Sequence, residues 1–164
     1  MSDDEVTKDE LLNQLGTYTE EDLELALRAA DAQKRTREEG LYFLHYFLGE
    51  DRVKTDDHEA SIVMPIAPMV MNPGNMVHGG VTALLCDNAM GMASYLSAQR
   101  PGVTLDMSVR YHLPGRGGQL TARGEVVHKG GQINSTRCEV RDDVGRLVAT
   151  ATGSFYHTRK PSSR

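Results

Sequence analysis

The chain has 164 residues, 39% hydrophobic and 25% charged, with a formal net charge of −5. That composition fits one soluble globular domain with a single core, and excludes a disordered chain or a helical membrane protein, since no apolar run reaches a membrane span. The charge is uneven. Residues 1–39 hold twelve acids against five bases, net −7, which leaves +2 on the other 125 residues, and an acidic arm argues against nucleic-acid binding through the N-terminus.

The first residues are polar, and residues 1–7 are expected to fray. They carry no basic segment followed by an apolar one, so no secretory signal is expected and the expected location is cytoplasmic. Leu11, Leu12 and Leu15 predict a short helix ending at Gly16. Thr19 and Asp22 form a helix start, with a capping hydroxyl and an acid in the first turn. Leu23, Ala26, Leu27 and Ala30 continue it as a narrow apolar stripe, with a stop at Gly40. Residues 1–40 therefore read as an acidic helical extension.

Residues 41–48 are rich in aromatics and leucine and predict a strand. Residues 49–57 read as a solvated turn, and 58–66 as a second strand with Ala60, Ile62 and Met64 on one face, giving an antiparallel hairpin. An apolar helix over 80–98 follows a Gly/Pro/Asn loop. Then comes the cleanest alternation in the chain. Val103, Leu105, Met107, Val109, Tyr111 and Leu113 predict a long strand with one buried face. Tight turns at 114–118, 129–132 and 142–145 separate three more strands, which short turns force to be antiparallel. The only long apolar element available to cover such a sheet is the 80–98 helix. The expected fold is α+β, a curved antiparallel sheet wrapped around one central helix, with a polar tail over 158–164. Cys86 and Cys138 fall in apolar segments and read as buried, reduced thiols.

The chemistry concentrates in Asn72-Pro73-Gly74-Asn75-Met76-Val77-His78-Gly79-Gly80 and the helix after it. Gly79 and Gly80 stand where loop becomes helix, where the first N–H groups lack intrahelical partners and the macrodipole is positive. That suits a carbonyl oxygen, although glycine at such a junction is more often only conformational. Asp87 is sharper. It sits mid-helix among Ala83, Leu84, Met90 and Gly91, with no cation or donor three or four residues away. Either a group distant in sequence satisfies it, or its chemistry requires it. His45, His58, His78, His112, His128 and His157 lack metal-ligand spacing, so no metal is assigned.

Together the Asn72 loop, His78-Gly79-Gly80, Asp87 nine residues after the histidine, and the strand from Val103 to Val109 resemble the hotdog-fold acyl-CoA thioesterases of the phenylacetate-pathway type. The resemblance covers about residues 41–157. It implies Asp87 as the catalytic carboxylate, acting as nucleophile or general base, and Gly79 N–H as the group that polarises the thioester carbonyl. Asn72 would orient the water or the thioester, His78 would shape the loop and hydrogen-bond near the carbonyl, and Thr104 would carry a hydroxyl near the water. Val77, Gly80, Lys129, Gly130 and Arg116 would contact substrate; where such enzymes often carry an extra arginine for the CoA phosphates in the loop after the fourth strand, this chain has Lys129 as the single cation there, and Arg116 would substitute from another turn. No cofactor is implied, CoA being part of the substrate. The resemblance further implies a homodimer with shared sites, dimers pairing into a tetramer. Gly80 and Asp87 are seven residues apart, about 10 Å at helical rise, which independently favours a shared site. Met90, Met92, Tyr95 and Met107 are candidates to bound the acyl tunnel, with core filling the plainer role. Two other readings stay open: a non-catalytic acyl-CoA sensor, and a hotdog dehydratase or hydratase.

Overall fold

The computed structural model describes residues 7–54 and 56–158, so most of the expected frayed start and of the polar tail lies outside them. The chain divides into two compact units, Met1–Phe47 and Leu48–Arg164.

In the first unit, α1 (Lys8–Leu15) and α2 (Glu20–Glu39) each open on a reciprocal capping box, Thr7 with Glu10 and Thr19 with Asp22. Two orphan donors are satisfied at each start. The Thr7 backbone N–H holds the Glu10 carboxyl below its usual range, and the Thr19 hydroxyl does the same for Asp22. The α2 helix stops at Gly40, whose φ of 82° is open to glycine at little cost. The expected strand over 41–48 is instead the helix α3 (Phe43–Leu48). Phe43 and Phe47 stack at 5.2 Å across one helical turn. This i,i+4 pairing overrides the strand preference of aromatic residues. Arg35 covers the Tyr46 ring at 4.2 Å.

The second unit carries one six-stranded antiparallel sheet, ordered β1-β2-β4-β5-β6-β3. Its strands are β1 (Asp51–Lys54), β2 (Glu59–Pro65), β3 (Gly102–Tyr111), β4 (Gln119–Lys129), β5 (Ile133–Asp142) and β6 (Leu147–His157). The partner of β2 in the first hairpin is therefore β1, within residues read from sequence as a turn. Its charged composition suits an edge strand, where charge discourages further pairing.

Helix α4 (Gly79–Ala98) lies against the sheet, burying Leu85, Cys86, Ala89, Met90 and Ala93. This is the expected hotdog arrangement. The approach is close because β4 carries Gly124 beneath the helix. A Cβ there would overlap the Ala89 backbone. The far end of α4 is tied down by polar groups. Ser94 and His157 meet at 2.7 Å, and Asn134 donates to the Ser94 hydroxyl at 3.1 Å. The outer face of the sheet is a lattice of opposite charges, with Arg123 on Glu59, Arg137 on Glu125 and Arg141 on Glu139. The Arg137–Glu125 and Arg141–Glu139 pairs are largely exposed and add little stability.

One expectation about β3 fails. It is an edge strand, and Val103, Leu105, Tyr111 and the following Leu113 are exposed rather than buried. Its alternation is also broken. Thr104 pairs with Phe155 and Asp106 with Ser154, which leaves Leu105 as an unpaired bulge residue.

Candidate active site

The residues expected to act on the acyl group occupy two regions of the second unit, one at the start of α4 and one midway along it. The first is the start of the helix. Asn72, Pro73, Gly74 and Asn75 form a turn, closed by the Asn75 N–H on the Asn72 carbonyl at 3.0 Å. The Asn72 Oδ1 accepts from Gly74 N–H at 2.9 Å. That contact assigns Oδ1 as the acceptor and leaves the Nδ2 group to donate elsewhere. His78 is the N-cap. Its Nδ1 accepts from Gly80 N–H at 3.0 Å, and its carbonyl accepts from Val81 and Thr82. Among the described residues nothing accepts the Gly79 N–H. The loop therefore presents one donor at the positive end of α4, and it is Gly79 rather than Gly80.

Tyr111, at the end of β3, donates its hydroxyl to the Gly79 carbonyl at 2.9 Å. A groove of about 320 Å³ opens here, lined among others by Asn72, Val77, Gly79, Tyr111 and Leu113. Val77 contributes a wall but is itself 5% exposed, so it shapes the groove more than it reaches into it. Tyr111 is the site residue that sequence reading passed over. Its only signal was a polar tip within an otherwise apolar alternation.

The second region is two helical turns further on. Asp87 is half-buried on the flank of α4 nearest β3. The Thr104 hydroxyl donates to its Oδ1 at 2.9 Å. The satisfying group is thus distant in sequence, as the lack of helical neighbours required. Beside it, Asn88 donates to the buried Glu50 at 2.8 Å, on the flank toward β1. Asp87 is absent from the lining of the groove. Eight residues separate it from Gly79, about 12 Å along the helix.

The residues expected near the CoA phosphates are likewise separated. Arg116 is exposed in the β3–β4 loop, beside Gly115, which packs on Val77 at the start of α4. Lys129, the last residue of β4, and Gly130, which opens the β4–β5 turn, lie at the other end of the helix, where Arg100 reaches Gly131. The two cations do not meet within one chain. Of the tunnel candidates, Met90 is fully buried and touches the sheet near Gly153, a core role, whereas Tyr95 is 50% exposed on the outer side of α4. Met92 and Met107 are half-buried.

Residues 74–149, which include His78, Asp87 and Thr104, match the thioesterase superfamily. A Bacillus halodurans protein solved with CoA is 33% identical and superposes with a TM-score of 0.78, covering 90% of this chain and 99% of that one. The Escherichia coli medium/long-chain acyl-CoA thioesterase YigI is 26% identical over 149 residues, 79% of this chain and 96% of its own. The Cronobacter turicensis proofreading thioesterase EntH is 27% identical over 107 residues, 63% of this chain and 77% of its own. The chain belongs to the thioesterase superfamily, on the hotdog fold. Among the described residues, no helix is long and apolar enough to cross a membrane.

Proposed function

We propose that this protein hydrolyses an acyl-CoA thioester to the free acid and CoA, at a site assembled from two copies of the chain. The observation that carries this reading is the division of the chemistry along α4. The free Gly79 N–H and the Asn72 amide face one groove, while Asp87, held by Thr104, lies about 12 Å away beside the uncovered edge strand β3. Pairing of β3 with its counterpart about a two-fold axis runs the two α4 helices antiparallel. The Asp87 of one copy then stands near the Gly79 loop of the other.

In this arrangement the thioester carbonyl oxygen accepts from Gly79 N–H, with the helix N-terminus favouring the charge that develops there. Asn72 Nδ2 orients the water or the thioester. Asp87 takes a proton from water, whose oxygen bonds to the carbonyl carbon. The C–S bond then breaks, and the departing thiolate takes the proton from the Asp87 carboxyl. If Asp87 instead attacks the carbonyl directly, the C–S bond breaks as an Asp87–acyl anhydride forms, and water then cleaves the anhydride, its proton going to the released thiolate. Solvent oxygen found in Asp87 after a single turnover in H₂¹⁸O establishes the second route, with water adding to the Asp87 carbonyl of the anhydride. CoA is part of the substrate, and neither route calls for a cofactor.

The test is hydrolysis of a panel of short, medium, long and aromatic acyl-CoA esters, read by release of free thiol. Asp87→Asn should lower kcat on the best substrate by about 10² or more, the size of a general-base effect. Wild-type turnover in that variant would sink the mechanism.

A further inference from the structure

The β4–β5 turn, residues 130–132, which follows Lys129 at the end of β4, is held more firmly than its exposure suggests. Gly130 N–H donates to the Ile133 carbonyl at 3.0 Å, and no Cβ fits at Gly130 because it would overlap that carbonyl. The Gln132 carbonyl accepts from His157 N–H at 2.7 Å, and the Gln132 side chain donates to the Tyr156 hydroxyl. The Gly131 carbonyl accepts from Arg100 Nη2. Arg100 follows α4, and its Nη1 donates to the Thr158 carbonyl at 3.0 Å. One guanidinium thus bridges the turn and the end of β6. Among the described residues no carboxylate forms an ion pair with it. Its task here is to join two carbonyl oxygens, which its planar fork does and an ammonium does poorly.

We propose that Arg100 is a positioning residue for the carrier half of the thioester. By bridging Gly131 and Thr158 it fixes the 130–132 turn against the end of α4, in the conformation that receives the CoA phosphates on Lys129 and the Gly130 backbone. This rests on the reading of the protein as an acyl-CoA hydrolase, and on the assignment of that turn to the phosphates. The distance is suitable. Asp87 to Gln99 is twelve residues of helix, about 18 Å, which a long pantetheine arm would span between phosphates and sulfur.

The experiment compares an acyl-CoA with the same acyl group on N-acetylcysteamine, which has the thioester but no phosphate. The readout is the ratio of the two kcat/KM values, so a general loss of fold or of catalysis cancels. Lys129→Ala should lower that ratio about tenfold, through a higher KM for the CoA ester, as expected for one lost charged hydrogen bond. Arg100→Ala should lower it as much, and the double variant little more than either, because the two act through one turn. Arg100→Lys decides between positioning and direct contact. It keeps the charge but cannot bridge both carbonyls, so its ratio should fall nearly as far as that of Arg100→Ala. A wild-type ratio in Arg100→Lys, or an Arg100→Ala effect that multiplies fully with that of Lys129→Ala, overturns the proposal. No effect of Lys129→Ala overturns it too, by removing the turn from the phosphate site. Loss of all turnover in Asp87→Asn alongside any of these results shows that the hydrolytic reading itself still stands.

Discussion

Tyr111 donates its hydroxyl to the Gly79 carbonyl at 2.9 Å, while the N–H at the other end of the same peptide, that of Gly80, is held by His78 Nδ1 at 3.0 Å. The peptide joining Gly79 to Gly80 is therefore fixed at both ends. Its orientation sets where the preceding N–H, that of Gly79, points. Tyr111→Phe removes one of the two restraints and leaves the strand in place. Turnover should fall about five- to tenfold, the worth of one neutral hydrogen bond, with no change in thermal midpoint beyond a few degrees. Unchanged kinetics would mean that the His78 cap alone is sufficient.

A site divided between two copies has a direct genetic signature. Asp87→Asn and Asn72→Ala should each be nearly inactive alone. In a mixed dimer, one of the two sites collects both damaged residues and the other collects neither. Random mixing after denaturation and refolding should restore roughly a quarter of wild-type activity, since half the dimers are mixed and each has one good site. A mixture that stays inactive, although mixed dimers are detected by mass, would place the whole site within one chain.

Cys86 and Cys138 are both buried and free. The neighbouring Cys86 thiol and burial both push the Cys138 thiol upward, well beyond the ordinary range for cysteine. The thiolate is the reactive form. The native protein should therefore show neither thiol to a disulfide reagent at pH 8, and both after denaturation. A fast-reacting native thiol would contradict this placement in the core.

Asp142 closes the β5–β6 hairpin. It is buried and accepts from Val144 N–H at 3.2 Å, Arg146 N–H at 2.8 Å and Arg146 Nε at 2.7 Å. Burial by itself raises its carboxyl, but the Arg146 backbone N–H and guanidinium outweigh it, and the net direction is down. A carboxyl lowered in the folded state adds stability above its unfolded value near ~3.9, and that stability is lost as the pH falls through the folded value. Asp142→Asn should lower the thermal midpoint at neutral pH. The difference from wild type should shrink between about pH 4 and pH 2. A constant difference across that range would show that the effect is steric.

The sheet, its antiparallel order from β4 to β6 and the axial helix were legible because they follow from periodicity and turn chemistry, both of which are local. The first strand was not. Residues 43–48 carry strand-forming aromatics, yet Phe43 and Phe47 stack along a helix, and β1 forms from residues 51–54, whose composition reads as solvated turn. Only pairing with β2 makes them a strand. Asp87 stood out as a charge without a local partner, and that oddity pointed outward to Thr104. The face on which Thr104 would lie could not be read. Thr104 and Tyr111 are seven residues apart and in a regular strand would face opposite sides, yet both reach α4 because Leu105 bulges out. No glycine marks that bulge. Tyr111 was hidden for the same reason: its role depends on where the far end of a strand meets the start of a helix.

The uncovered edge formed by β3 has a consequence outside catalysis. A row of unsatisfied backbone groups, flanked by Val103 and Leu105 at 62% and 54% exposure, is a template that any extended chain can read. The surface that would complete the site in a second copy is also the surface most open to unwanted partners in a lone one. In the dimer proposed above, dilution or partial dissociation should therefore lower solubility as well as activity, and substrate that bridges two copies would protect against both.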